Sequence, residues 1–290
     1  MANRRVLVKR RKAARNIRKI TRTMQLIATA RFQSAYKRAT AGKPYTEKLA
    51  ELVGRLSAAA GGAEHPLLAR PEGSTRTAML VLTSTRGLCG AFNANVLRGA
   101  LERVAEREGA GEAVDLHVVG KKGIAFMKFQ GRELAERITG LGDLPRFDQI
   151  EPIANALMAR FGAGEVGAVE VAYMKFVSTG RQRPVVEQLL PLTPPETTAP
   201  AGGPEVEYEF SPPPAELLAD LLPAAVRVRL YQAFTDSAVS EQVARMVAMK
   251  AATDAAEEMI RRLTQQYNRA RQTAITMELL DIVGGANALA

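Results

Sequence analysis

The sequence is poor in the residues that most often announce chemistry. It has one cysteine, Cys89, two histidines, no tryptophan and 5% aromatic residues in a chain of 290. One cysteine cannot close an internal disulfide, and no apolar run reaches membrane-spanning length. With no secretory signal visible, the expectation is a soluble chain from a reducing compartment. His65 lies before Pro66 and His117 falls within a strand-like run, so no Ser-His-Asp, Cys-His or paired-carboxylate set and no metal-ligand cluster can be assembled. Neither G-x-G-x-x-G nor G-x-x-x-x-G-K-[ST] occurs. The chain is therefore expected to be no enzyme, with no catalytic residue, cofactor or metal of its own.

Acid is missing from residues 1–46, which hold 14 Lys or Arg, while the rest of the chain is net negative by 4. Such an arm calls for an acidic partner surface, and composition leaves three readings open: a solvated helix face, a nucleic-acid or anionic-membrane contact, or a docking face for an acidic protein. Phe32 and Tyr36 are the only aromatics in the first 44 residues, which weakens the nucleic-acid reading. An Arg-rich, acid-free start also mimics a transit peptide, but a segment destined for removal has no need of a heptad seam.

Glycine and proline are missing from residues 1–41, where Ile17, Ile20, Met24 and Ile27 keep a 3,4,3 spacing; Tyr45, Leu49, Leu52 and Leu56 resume it. This predicts a long N-terminal helix over 1–60, bent or briefly broken near Pro44 and ended by Gly61-Gly62. At the other end, residues 215–290 hold no glycine before Gly284 and one proline, Pro223. Here Met246, Met249, Thr253, Ala256, Ile260, Leu263, Tyr267, Ala270, Ala274 and Met277 form an a/d seam over more than four heptads. A helix of that length spans roughly 100 Å at 1.5 Å per residue; it either starts after Pro223 or kinks there. Two heptad helices at opposite ends of a chain pair most economically as an antiparallel coiled coil.

Between them, residues 76–190 alternate short β-rich runs (78–83, 115–119, 169–177, 184–190) with helical ones (92–107, 123–129, 150–161), the pattern of a small domain with a largely parallel sheet. A proline-rich connector, 191–214, follows, with one short strand candidate at 206–210. The fold class is thus α/β: a long antiparallel coiled coil with an inserted, small, Rossmann-like α/β domain. The run Ser84-Thr85-Arg86-Gly87-Leu88-Cys89-Gly90 stands where a phosphate loop would, after a strand and before a helix, but the plainer reading is a tight turn with a structural cysteine. At the extreme end, Leu279, Leu280, Ile282, Val283 and Leu289 make an apolar tip that calls for a socket.

Four blocks carry a resemblance: Ile20-Thr21-Arg22-Thr23-Met24-Gln25-Leu26-Ile27-Ala28; Ser84 to Gly90 with Asn93; Glu241 to Asp254; and Tyr267-Asn268-Arg269-Ala270-Arg271-Gln272 running into the tip. On these the chain resembles the gamma subunits of F-type ATP synthases over essentially its whole length. The resemblance implies a non-catalytic rotary shaft, one copy per complex. Its coiled coil would turn inside three alpha and three beta subunits, and its α/β foot would bind the epsilon subunit and rest on a proton-driven c-ring. It implies no nucleic-acid partner, and a peripheral place on the cytoplasmic face of the bacterial inner membrane, reached only through the c-ring. By the same resemblance Arg271 and Gln272, supported by Thr276 and Glu278, contact the catch loop of one beta subunit. Met24 and Arg245 face the beta lever region, and Lys19 and Arg22 meet its acidic loop. Tyr208, Glu209 and Phe210 are contact candidates for the c-ring and epsilon. Two rivals stand beside this reading: a nucleic-acid-associated coiled-coil protein and a membrane-surface tether built on residues 1–38.

Overall fold

The computed structural model describes residues 4–59, 65–71, 73–193 and 212–289. The chain divides into two compact units, one of residues 30–244 and one joining the segment up to residue 29 with the segment from residue 245.

The larger unit is a three-layer α/β domain. Strands β1 (Arg76–Leu82), β2 (Ala113–Val119), β3 (Glu136–Ile138), β4 (Ala168–Ser178) and β5 (Arg181–Leu190) make one sheet in the order β3-β2-β1-β4-β5. All neighbours are parallel except β4 and β5, which form a hairpin. The central strands β1 and β4 read as nearly continuous apolar runs because both sheet faces are covered there. Along β1, Ala78, Leu80 and Leu82 face one layer while Met79 and Val81 face the other. The second layer is α2 (Phe92–Gly109) with α3 (Lys121–Phe129); the first contains α4 (Phe147–Gly162) and segments of the two terminal helices. The strands and helices expected within residues 76–190 appear, extended by a few residues at several ends. The three-residue β3, whose sequence Glu-Arg-Ile carries no alternation, was not foreseen.

The terminal helices are α1 (Arg4–Ala59) and α5 (Pro214–Leu289). Helix α1 runs through Pro44 without a break, contrary to one form of the expectation. Likewise α5 begins at Pro214 and contains Pro223, which rules out a start after that proline. An interior proline costs about 3 kcal/mol. Around Pro223 that cost is outweighed by Leu218, Leu222, Val226 and Leu230, a fully buried stripe at four-residue steps, each worth about 2 kcal/mol against the sheet. Leu49, Val53 and Leu56 do the same after Pro44, while Tyr45 and Leu52 of the expected second seam are exposed. Gly61-Gly62 and the strand candidate at 206–210 lie outside the described residues.

Candidate functional site

In the smaller unit, residues 4–29 of α1 lie alongside α5 from residue 245 to about 274. Thr253 Oγ1 is 2.8 Å from Thr21 Oγ1, Arg18 pairs with Glu257 at 3.6 Å, Leu7 and Ala14 share a cluster with Leu263, and the Arg11 guanidinium lies 4.9 Å from the centre of the Tyr267 ring. As the partner on α1 moves toward the N-terminus, its opposite on α5 moves toward the C-terminus, so the pair is antiparallel. On α5 every position of the expected seam from Met246 to Ala274 is buried or half-buried, while Met277 is exposed. The reason is length. Arg11, opposite Tyr267, is already close to the first described turn of α1, so among the described residues no part of α1 lies beside α5 beyond Ala274.

On α1 the seam differs from expectation. Ile17, Ile20 and Ile27 are 51, 58 and 48% exposed, and only Met24 is partly covered. The buried stripe is Leu7, Ala14, Thr21 and Ala28, a strict seven-residue repeat set one position later than the isoleucines at 20 and 27. One residue is about 100° of helix, so the isoleucines are rotated out of the interface. Three of the four α1 seam positions are small, which makes room for Met249, Leu263 and Tyr267 of α5, and the isoleucines of α1 are left on the outer surface.

That outer surface carries most of the anticipated contact residues. Lys19 and Arg22 are exposed, Arg22 reaching Gln25 Oε1 at 3.0 Å along its own helix. Arg271, Gln272, Thr276 and Glu278 are exposed on the unpaired stretch, with Leu279, Leu280, Ile282 and Val283. Arg245 is buried instead. The side chain of Leu289, and Tyr208, Glu209 and Phe210 altogether, lie outside the described residues. What the sequence reading missed is that Ile17, Ile20, Leu26 and Ile27 join Lys19 and Arg22 on the outer face; the signal was the alanine and threonine heptad running alongside them.

The larger unit offers one place where such folds hold ligands, the carboxyl edge of the sheet. There the loop after β1 is occupied with itself. Asn93 Oδ1 accepts from the Ser84 amide at 2.9 Å, Ser84 Oγ donates to the Arg86 carbonyl at 2.6 Å, and Asn93 Nδ2 lies 3.3 Å from Cys89 Sγ. Leu88 takes a φ of 65°, a strained choice for a residue with a branched side chain. Gly120 brings β2 so close that an added Cβ would stand 2.2 Å from the Thr83 carbonyl oxygen. A cavity at this edge, lined by Thr83, Thr85, Asp143, Phe234, Ser237 and Glu241 among others, holds about 60 Å³. That is room for water, far below the roughly 300 Å³ of a small-molecule site. Asp143 closes this edge by pairing with Arg31 of α1 and with Arg86 of the loop.

Glu170 and the two histidines of this unit are held in local structural contacts. Burial pushes the Glu170 carboxyl up, but hydrogen bonds from Arg103 and Arg107 outweigh it and hold the group below its ordinary range. His117 is fixed between Glu136 at 2.9 Å and Arg160 at 3.0 Å, and His65 Nδ1 accepts from the Leu67 amide at 3.1 Å with its pKa lowered by burial. Each histidine is thereby committed to local structure.

Comparison with known proteins follows the same lines. The family model described as ATP synthase matches residues 3–289. Curated relatives named ATP synthase gamma chain include that of Rhodopirellula baltica, 45% identical over 294 residues with 100% of this chain and 99% of the relative covered. That of Frankia casuarinae is 43% identical over 284 residues, covering 96% and 95%. Among solved structures, the rotor of the Euglena gracilis mitochondrial ATP synthase contains a chain that aligns with a TM-score of 0.64 at 16% identity, over 94% of this chain and 98% of that one. The central stalk and c-ring structure from Tetrahymena thermophila gives 0.59 at 20% identity, over 80% and 99%. At such identities these two matches speak to the fold.

Proposed function

This chain belongs to the ATP synthase gamma-chain family, and from that premise we propose that it is the non-catalytic central shaft of the complex, passing torque between a proton-driven c-ring and a ring of three alpha and three beta subunits. The observation that carries the reading is the antiparallel helix pair of the smaller unit. Its seam sets Leu7, Ala14, Thr21 and Ala28 of α1 against residues such as Met249, Ala256 and Leu263 of α5, and it leaves outward a face where Ile17, Ile20, Leu26 and Ile27 stand among Lys19 and Arg22. The outer surface is chemically uneven around its circumference. Only such unevenness can drive three otherwise identical beta subunits into different states, because a ligand shifts an equilibrium by its differential contacts and by nothing else. Turning the pair changes which beta subunit meets the basic and apolar face, and so which catalytic site is closed.

In this reading Lys19, Arg22 and Met24 serve the lever region of beta, while Arg245, being buried, acts there only through the residues that cover it. Arg271, Gln272, Thr276 and Glu278 serve its catch loop, and the apolar tip turns in a sleeve formed by the ring. The larger unit binds epsilon and the c-ring, with Tyr208, Glu209 and Phe210 as contacts. Two observations support a shaft without chemistry of its own: the 60 Å³ cavity and the self-satisfied loop at the sheet edge. No helix among the described residues is long and apolar enough to cross a membrane. Attachment is therefore assigned to the c-ring, at the cytoplasmic face of the bacterial inner membrane. An affinity-tagged copy in its own host is expected to co-purify with alpha, beta and epsilon polypeptides and with ATPase activity. Recovery of the tagged chain bound to nucleic acid or lipid, and without alpha and beta, would replace this reading with one of its rivals.

A further inference from the structure

Where α5 crosses the larger unit it is enclosed on nearly every side, yet its buried residues there include Thr235, Asp236, Ser237, Ser240 and Gln242. Asp236, 4% exposed, is the ionisable one among these five. Glu170, as deeply enclosed, is gripped by two arginines, whereas Asp236 Oδ1 accepts from a neutral amide, Gln232 Nε2, at 2.8 Å. The charged groups that face Asp236 are Lys43 on α1, Lys175 on β4 and Glu187 on β5. Lys175 is committed to Glu187 at 2.8 Å, the Tyr173 hydroxyl donates to the same carboxylate at 2.8 Å, and Arg229 of α5 acts on it too. Burial outweighs the pull of the two lysines and favours the protonated form of Asp236. The cover of this group on one side is α1. Gly42 stands against the Gln232 amide, where an added Cβ would be 3.7 Å from Oε1. Ala39 and Leu49 are buried, but no residue from 40 to 48 is. Pro44 cannot donate to the Thr40 carbonyl, and Gly42 weakens the helix further. This stretch is a bridge, pinned at both ends by buried residues and loosely held between them.

We propose that Asp236 and the bridge 40–48 of α1 form a pH-sensitive element, closed when the carboxyl is neutral and opened to water when it is ionised, while the pinned ends stay in place. A buried carboxylate whose hydrogen bond comes from an amide gains hydration when its cover lifts, and a neutral carboxyl gains far less. Lys43 rides on the bridge, and its long stem keeps the ammonium near the carboxylate as water enters. The closed form binds the proton more tightly than the open one. Opening therefore grows as pH rises from about 4, the ordinary carboxylate range, and levels off once Asp236 is ionised in both forms. On the shaft reading, on which this consequence rests, α1 carries load, so the shaft is stiffer in acid than at neutral pH.

Amide hydrogen exchange of the full chain, read by mass spectrometry between about pH 4 and pH 7 and corrected for the intrinsic pH dependence of exchange, measures this opening directly. The peptide holding residues 40–48 is expected to show an opening constant that rises severalfold across the range, while peptides from β1 and β4 show no such rise. Asp236→Asn, which keeps an acceptor for Gln232, is expected to abolish the rise. Gly42→Ala, whose methyl group meets ordinary contact, is expected to lower opening about fivefold at every pH and to leave the rise in place. A flat native profile, an equal rise in the native and asparagine chains, or a rise shared by the core strands overturns the proposal. Should Asp236→Asn fail to fold, the native profile and that of Gly42→Ala decide on the same criteria. No partner subunit takes part in this measurement. Failure of a tagged copy to recover alpha and beta would therefore remove the mechanical consequence and leave the pH response standing.

Discussion

Glu170 lies in the middle of a covered sheet face at 1% exposure, and its charge persists there only because Arg103 and Arg107 both reach it. Removing one partner of such a cluster strands the others, so Glu170→Ala is expected to cost about 3–5 kcal/mol, measured by denaturant unfolding of the full chain. The same cluster sets a pH dependence. Glu170 and Glu112, which is held by Arg70, Thr77 and Arg107, both have native pKa values lowered from 4.5. Their stabilisation is complete above that value and is lost as pH falls through the lower native ones. Asp236 has the opposite sign. Burial raises its pKa against the pull of Gln232, Lys43 and Lys175, with Glu187 adding to the rise, so ionising it costs stability as pH climbs. Asp236→Asn, which keeps an acceptor for Gln232, is therefore expected to raise Tm at pH 7 and to leave it nearly unchanged near pH 4.

At the scale of elements, the instructive case is α1. Its periodicity announced a helix, and its large aliphatic residues suggested a seam that proved to be the outer face. Periodicity is a property of one helix, whereas the choice between two stripes 100° apart depends on how near the second helix comes. That distance follows from the opposing residues Thr253, Ala256 and Leu263, far away in the chain. The two stripes make contrasting predictions. Leu263→Ala, in the seam, is expected to cost about 2 kcal/mol and several degrees of Tm. Ile20→Ala, on the outer face, is expected to stay within about 0.5 kcal/mol in the free chain while weakening binding to the ring of alpha and beta subunits. Thermal unfolding of the free chain and titration against the assembled ring separate the two. The prolines at 44 and 223 teach a related point: each reads as a break, and each is overridden by apolar residues that bury themselves one or two turns further on.

At the scale of the whole molecule, the fold serves a function that needs surfaces more than a pocket. Gln272→Ala is expected to lower the ATPase rate of the complex severalfold while gel filtration still shows full assembly; loss of assembly would make Gln272 a structural residue. The sequence by itself determined the element order apart from β3, the largely parallel sheet, and the long α5 with its seam, because these depend on local periodicity, on the sites of glycine and proline, and on apolar runs too long to leave in water. It also carried the family blocks, and with them most of the contact residues, since these are strings of neighbours. Only the tertiary structure decided which stripe of α1 turns inward, that Arg245 is buried, that Thr21 meets Thr253, and that the sheet edge is shut by its own loop and by Asp143. Each of those depends on atoms brought together from distant parts of the chain, and their burial and pairing energies arise only once the chain has closed around them.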